Sequence, residues 1–168
     1  MSDYDRTTRE CSVNQLRPEI FQAMQNFFRE RELGDMGSDS LLCCETISRK
    51  KNDSKMTSLL GDDRDTTLYT GMLLTSQFLI WVHFGDRTGI RLNAAKLSEI
   101  QVEYHTSLFS KDVGLEIVGY ISDARSRVRG YIGMGTEPAA QKFCEEVKQA
   151  TIKARPSTPK KWFGWPPG

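Results

Sequence analysis

The feature that most restricts the fold is a period of two in the apolar residues along the middle of the chain. Ile100, Val102 and Tyr104 alternate with polar residues, and Leu115 and Ile117 belong to a second run of the same kind. Successive side chains of a β-strand point to opposite faces, so this alternation predicts strands with one buried face. Short connections separate the runs, which favours antiparallel pairing.

The same reading, extended along the chain, predicts seven strands, at 41–50, 67–75, 77–85, 90–92, 100–105, 115–121 and 127–132. An amphipathic helix follows them. Thr136, Glu137 and Pro138 are typical of a helix N-terminus, and Pro156 ends the helix. A sheet with so few strands must close on itself or be covered to protect its edges, and one apolar helix can cover an open end.

Two short stretches narrow this architecture further. Residues 71–82 read Gly-Met-Leu-Leu-Thr-Ser-Gln-Phe-Leu-Ile-Trp-Val, and residues 89–92 read Gly-Ile-Arg-Leu. Together with the order of elements, this pattern resembles the pleckstrin-homology-like (PH-like) superfold, and most nearly its GRAM-like and bacterial branch. The resemblance covers residues 41–154. It implies a mainly β fold, a seven-stranded antiparallel split barrel capped by a C-terminal α-helix, here with an extra N-terminal α-helix.

The resemblance also implies binding rather than chemistry, because the pattern contains no catalytic motif. Relatives of this superfold bind phosphoinositides, add peptides at a sheet edge, or assemble with other copies. One fold serves several functions, so the choice among them depends on the individual sites.

The chain divides into three predicted segments. Residues 1–40 form an N-terminal extension with an amphipathic helix, residues 41–154 form the PH-like domain, and residues 155–168 form a proline- and aromatic-rich tail. One face of the N-terminal helix carries four large apolar side chains: Phe21, Met24, Phe27 and Phe28. Such a face requires a partner surface. It is predicted either to bind another protein or a second copy, or to dock on the chain's own domain.

Candidate residues for binding a lipid or phosphate group lie at the loop after the first predicted strand: Arg49, Lys50, Lys51 and Lys55. Aspartates in the same loop reduce the net charge of residues 49–65 to +1. Each nearby anion weakens the field that would attract a phosphate. A solvated loop is therefore the favoured alternative.

The tail offers a second candidate surface, formed by Lys160, Lys161, Trp162 and Trp165. Residues 153–168 carry four cations and no acid. Lysines beside tryptophans suit an anionic membrane interface. The alternative is that the tryptophans cover apolar surface on the chain's own domain or on a neighbour.

Other classes of function have little support. His83 and His105 each stand alone, without a cysteine or carboxylate at motif spacing, so neither a catalytic centre nor a metal site is predicted. A formal net charge of +1 argues against nucleic acid as a partner. The glycines of residues 130–135 lack the order of a phosphate-binding loop, so no nucleotide or other cofactor is expected. The arginines at 125, 127 and 129 share a strand phase and are expected to pair with Glu103 or Glu116.

Localisation follows from the cysteines and the absence of long apolar runs. The four cysteines, at 11, 43, 44 and 144, are too few and too scattered for a disulfide framework or a metal site. The longest apolar run has five residues, at 78–82, against about twenty needed to cross a bilayer. The polar N-terminus is unlike a secretory signal. The chain is therefore expected in the reducing cytoplasm, with peripheral membrane attachment as an option.

These observations predict a non-catalytic interaction or assembly module, whose ligand is not specified by the sequence. A protein partner or self-association is expected. The alternative is peripheral binding to anionic lipid through the tail and the loop after the first strand.

Overall fold

The computed structural model describes residues 4–51, 65–106 and 113–156. Within these ranges the protein is mainly β, with two antiparallel sheets. The first sheet contains five strands in sequence order: β1 (Tyr4–Glu10), β2 (Ser40–Lys50), β3 (Thr67–Thr75), β4 (Phe78–Gly85) and β5 (Gly89–Lys96). The second contains three: β6 (Ile100–Thr106), β7 (Val113–Gly119) and β8 (Val128–Met134).

The mainly β class is confirmed, but the strand count is not. Eight strands are present in the described residues instead of seven, because β1 is an additional strand that pairs with β2. It is polar throughout and only Thr8 is buried, so it has no apolar alternation to predict it. No backbone ladder joins the two sheets in the described ranges, and they do not form a closed barrel there.

In the described residues three α-helices accompany the sheets, α1 (Pro18–Glu30), α2 (Met36–Asp39) and α3 (Pro138–Ala154), with two short 3₁₀ helices at Val13–Gln15 and Leu97–Glu99. The predicted N-terminal and C-terminal helices are both confirmed. Each begins at a proline, whose missing N–H costs nothing in the first helical turn. No helix in the described part of the chain is both long and apolar enough to cross a membrane.

The five-stranded sheet is the middle layer of the molecule. One face joins the second sheet and α3 in the main core, which includes Cys44, Trp81 and Phe143. The other face packs against α1, where Cys43 and Ile80 are buried. Helix α1 approaches the sheet so closely that a Cβ at Gly71 would overlap Ile20.

The outer edge of β1 is tied to the turn that joins β8 to α3. The Thr8 N–H donates to the Glu137 carboxylate over 2.9 Å, and the Gly135 N–H donates to the Thr8 hydroxyl, also over 2.9 Å. At the opposite edge of the sheet, the Ser122 N–H donates to the Ala94 carbonyl over 2.6 Å. These bonds occupy backbone groups that edge strands otherwise leave available for a partner strand.

Candidate functional site

The predicted phosphate-binding loop is only partly within the described residues. Arg49 is exposed near the end of β2, opposite Asp5 of β1. The Lys51 ammonium lies 3.2 Å from the Asp5 carboxylate. Lys50 is half-buried, and its backbone N–H donates to the Thr66 carbonyl over 2.8 Å. Asp5 is therefore an acidic neighbour of Lys51 and the register partner of Arg49, and Lys55 lies outside the described residues.

The tail candidates Lys160, Lys161, Trp162 and Trp165 also lie outside the described residues. The described chain leaves α3 after Ala154, with Lys153 exposed in the last helical turn. The prediction of a membrane-binding tail stays a prediction.

The apolar face of α1 is placed against the chain's own five-stranded sheet. Met24 and Phe28 are 0% and 2% exposed, so neither is accessible to a partner while α1 is docked. Phe27 is half-buried and its ring meets that of Phe78 edge to face, with centroids 6.0 Å apart. Phe21 is also half-buried. The structure thus shows the docking alternative for the centre of this face and leaves its two margins partly open.

Phe21 lines a groove of about 630 Å³ between α1 and α2, called here the α1–α2 groove. Its apolar surface comes from Val13, Phe28 and Met36 as well as Phe21. Polar side chains, including Gln25, Arg29, Glu32 and Asp35, line the rest. The volume is within the range of about 300–1,000 Å³ found for ligand pockets, although the lining is more polar than in most of them.

Local backbone geometry builds one wall of the groove. Glu32 and Gly34 have φ angles of +54° and +85°, which turn the chain sharply after α1. Asp35 then caps α2, accepting hydrogen bonds from the Ser38 N–H at 2.7 Å and the Ser38 hydroxyl at 2.8 Å. These bonds lower the pKa of Asp35, so its carboxylate is ionised at neutral pH. The α1–α2 groove therefore has a fixed negative charge on its rim.

A smaller cleft of about 290 Å³ lies between the two sheets. It contains Trp81, His83 and Arg91 from the first sheet, and Arg129 and Tyr131 from β8. Arg129 forms the ion pair with Glu116 that the sequence predicted, whereas Arg125 and Arg127 precede β8, so the predicted shared strand phase of the three arginines was wrong. Pairing with a carboxylate reduces the capacity of Arg129 to bind an anion.

The two histidines are in unlike surroundings. His83 Nδ1 lies 2.9 Å from the Thr70 hydroxyl, and burial together with the nearby Arg91 lowers the pKa of His83. His105 is exposed and its ring meets Tyr131 edge to face, with centroids 6.4 Å apart. Among the described residues, no three of the histidine, cysteine, aspartate and glutamate side chains are grouped so that they could hold a metal ion.

Sequence reasoning missed one residue, Glu45, and one cysteine pair in the N-terminal part of this region. The Glu45 side chain is 4% exposed, and its carboxylate accepts two hydrogen bonds from the Arg9 guanidinium, at 2.8 and 3.2 Å. It also accepts a hydrogen bond from the backbone N–H of Arg17 at 3.1 Å. Cys11 lies opposite Cys43 with their sulfur atoms 3.8 Å apart. Glu45 could have been recognised from the sequence, because a carboxylate within a largely apolar predicted strand indicates a buried, paired charge. The cysteine pair had no such signal, because β1 was not predicted.

Comparison with protein-family models, with curated proteins and with solved structures finds no match to this chain.

Proposed function

We propose that this protein is a non-catalytic interaction module that binds a segment of another protein in the α1–α2 groove. The observation that carries this proposal is the position of Phe21. It belongs to the apolar face of α1, yet it is only half-buried and lines an open groove beside three buried apolar side chains. An aromatic ring in this setting can contact an inserted apolar side chain without any rearrangement of the core.

The charges on the groove specify the partner further. The groove is lined by two acidic residues, Glu32 and Asp35, and by one basic residue, Arg29. The formal net charge of its lining is therefore −1. A basic residue beside the inserted apolar side chain would complement this charge. The proposed ligand is therefore a peptide segment with a large apolar residue next to a lysine or arginine.

We also propose that residues 41–154 have a PH-like fold. Strands β2–β5 form a meander, β6–β8 form a second sheet, and α3 follows and packs on the main core, which is the order that the resemblance implies. Strand β1 and helices α1 and α2 are additions to that scheme. On this proposal, the α1–α2 groove is specific to the N-terminal addition.

The non-catalytic part of the proposal is supported by the environments of the histidines. His83 is held against Thr70, and its lowered pKa keeps it neutral at pH 7. His105 lies against Tyr131 on the exposed face of the second sheet. Neither pairs with a described cysteine or carboxylate in the hydrogen bonds that the structure gives, which a general base normally requires.

Selection from a displayed library of random peptides on the purified full-length protein tests the proposal. The selected peptides are expected to share a large apolar residue beside a basic one. Their affinity should fall about thirtyfold in Phe21→Gln, since removal of an aromatic anchor costs about 2 kcal/mol or more.

Phe27→Gln is the matched control. Phe27 lies on the same helix and is likewise half-buried, but it does not line the groove. The Phe27→Gln variant should bind the selected peptides with the affinity of the wild type. Circular dichroism would check that Phe21→Gln and Phe27→Gln are both folded. Failure to select any peptide family, or equal binding by Phe21→Gln and wild type, would refute the proposal.

Peripheral binding to an anionic membrane is the alternative function. It depends on Lys160, Lys161, Trp162 and Trp165 of the tail, with Arg49 and its neighbours assisting. The pairing of Lys51 with Asp5 does not favour it. The vesicle experiment in the Discussion distinguishes it from peptide binding.

A further inference from the structure

Two cysteines that are distant in the sequence are neighbours in the fold. Cys11 and Cys43 are 32 positions apart, and their Sγ atoms are 3.8 Å apart. The Cys11 N–H donates to the Cys43 carbonyl over 3.0 Å. The last pair of the β1–β2 ladder is Glu10 with Cys44, so Cys11 and Cys43 are the next two residues to face each other.

This placement suits a covalent bond between the sulfurs. Hydrogen-bonded residues that face each other in antiparallel strands have Cα atoms about 5.5 Å apart. A disulfide bridges Cα atoms that are about 4.4–6.8 Å apart. The sulfurs are now 3.8 Å apart, and bonding requires rotation of both side chains together with a small approach of the two strands, because a disulfide holds its Cβ atoms about 3.5–4.5 Å apart.

We propose that Cys11 and Cys43 are a redox-reactive dithiol pair that a peroxide converts to an intramolecular disulfide. The sulfur of Cys11 attacks one peroxide oxygen, the O–O bond breaks, and Cys11 becomes a sulfenic acid as water leaves. The sulfur of Cys43 then attacks the Cys11 sulfur, the S–O bond breaks, and a second water leaves. In total the two thiols lose two electrons and two protons to one molecule of hydrogen peroxide, which gives two waters.

The roles of the two sulfurs follow from their surroundings. Cys11 is half-buried and Cys43 is 3% exposed, so an oxidant reaches Cys11 first. The hydrogen bond between the two thiols lowers the pKa of Cys11 and raises that of Cys43. The Arg9 guanidinium also lowers the pKa of Cys11, whereas burial and the carboxylates of Glu45 and Glu10 oppose this lowering without reversing it. A lowered pKa increases the thiolate fraction, which is the reactive form.

The other two cysteines differ from Cys11 in both exposure and pKa. Cys44 and Cys144 are 0% and 4% exposed in the main core. Burial raises the pKa of each thiol to about 12. Both are therefore expected to stay reduced, and Cys144 provides a control position.

A bond between Cys11 and Cys43 would also bear on the α1–α2 groove. The loop that it closes contains all of α1 and α2 and therefore every residue that lines the groove. Oxidation would hold both ends of this loop together at the edge of the sheet.

Thiol counting with mass spectrometry on the full-length chain tests the proposal. Reduced protein is exposed to hydrogen peroxide, the peroxide is removed with catalase, and the remaining thiols are alkylated under denaturing conditions. Wild type should change from four alkylated cysteines to two, as a monomer, with one cross-linked peptide pair that contains Cys11 and Cys43. Cys11→Ser should form no intramolecular cross-link at the same dose, and Cys144→Ala should form the same cross-link as wild type.

Four outcomes would overturn the proposal: wild type that keeps four thiols, a cross-link between other cysteines, a covalent dimer, or a cross-link that persists in Cys11→Ser. The native geometry also predicts that oxidised wild type melts at the same temperature as the reduced protein or higher. A cross-link that lowers Tm would show that the bond forms only in a distorted chain, and it would refute the native pair as its source.

Discussion

Replacement of the buried Glu45 should lower the free energy of unfolding substantially. Its carboxylate accepts hydrogen bonds from the Arg9 side chain at 2.8 and 3.2 Å, which joins β2 to β1. It also accepts a bond from the Arg17 N–H at 3.1 Å, directly before α1 begins at Pro18. Glu45→Ala would therefore remove contacts to two elements at once and leave the Arg17 N–H without its acceptor.

The expected loss of stability is about 3 kcal/mol. Charge-assisted hydrogen bonds contribute about 1.5–3 kcal/mol, and a buried donor left without its acceptor costs about 1–3 kcal/mol, so the two losses together give about 2.5–6 kcal/mol. Arg9 is 51% exposed while Glu45 is 4% exposed, so the arginine regains water when the carboxylate is lost, and the lower end of that range applies. For a chain of this length, about 3 kcal/mol corresponds to a fall in Tm of about 6–12 °C.

Chemical and thermal unfolding followed by circular dichroism would measure this loss. Glu10→Ala is the matched control, because Glu10 is the neighbour of Arg9 on β1 and pairs with Lys142 at 2.8 Å, with both side chains about half exposed. An exposed pair contributes about 1 kcal/mol or less. Equal losses in Glu45→Ala and Glu10→Ala would refute the reasoning from burial.

Three further predictions concern the core, the pH dependence and the membrane. Phe28→Ala should destabilise the protein by about 3–5 kcal/mol in urea unfolding, since Phe28 is 2% exposed, and a loss under 1 kcal/mol would show that α1 is not docked in solution. Because burial lowers the folded pKa of His83, its contribution to stability is complete above the unfolded pKa of about 6.5 and is lost as the pH falls below it. His83→Gln should therefore flatten the fall in Tm between pH 7 and pH 5, and a pH profile equal to that of the wild type would contradict this. If the tail binds membranes, the affinity of the full chain for anionic vesicles in co-sedimentation at low salt should be about thirtyfold higher than that of a chain ending at Arg155. The truncation removes two lysines, and each is expected to contribute about 1 kcal/mol. Equal affinities would exclude the tail as the membrane-binding segment.

Strands β2–β8 could be predicted because each carries its own signal, whereas β1 could not. Burial is encoded within most of these strands, but β5 is an exception: the Ile90 that predicts it is 48% exposed, and the sheet buries Ala94 and Ala95 beyond the predicted 90–92 instead. Strand β1 buries only Thr8, and it is held by its ladder with β2 and by bonds to Glu45, Glu137 and Lys142. Those partners are 36, 129 and 132 positions away, and a local pattern contains no information about them.

The α1–α2 groove shows the same limit within a single helix. The spacing of the apolar residues predicts one face that includes Phe21 and Phe27, and within that face the structure fully buries Ile20, Met24 and Phe28. At about 100° per residue, Phe21 and Phe27 lie about 60° to either side of Met24, so the helical pattern treats them alike. Their difference comes from outside α1. The chain turns after the helix and places α2 beside Phe21, which creates a groove, while Phe27 meets the ring of Phe78 on β4. The amphipathic pattern therefore indicates which side chains need cover, and only the packing of neighbouring elements determines which of them is left facing a cavity that a partner can fill.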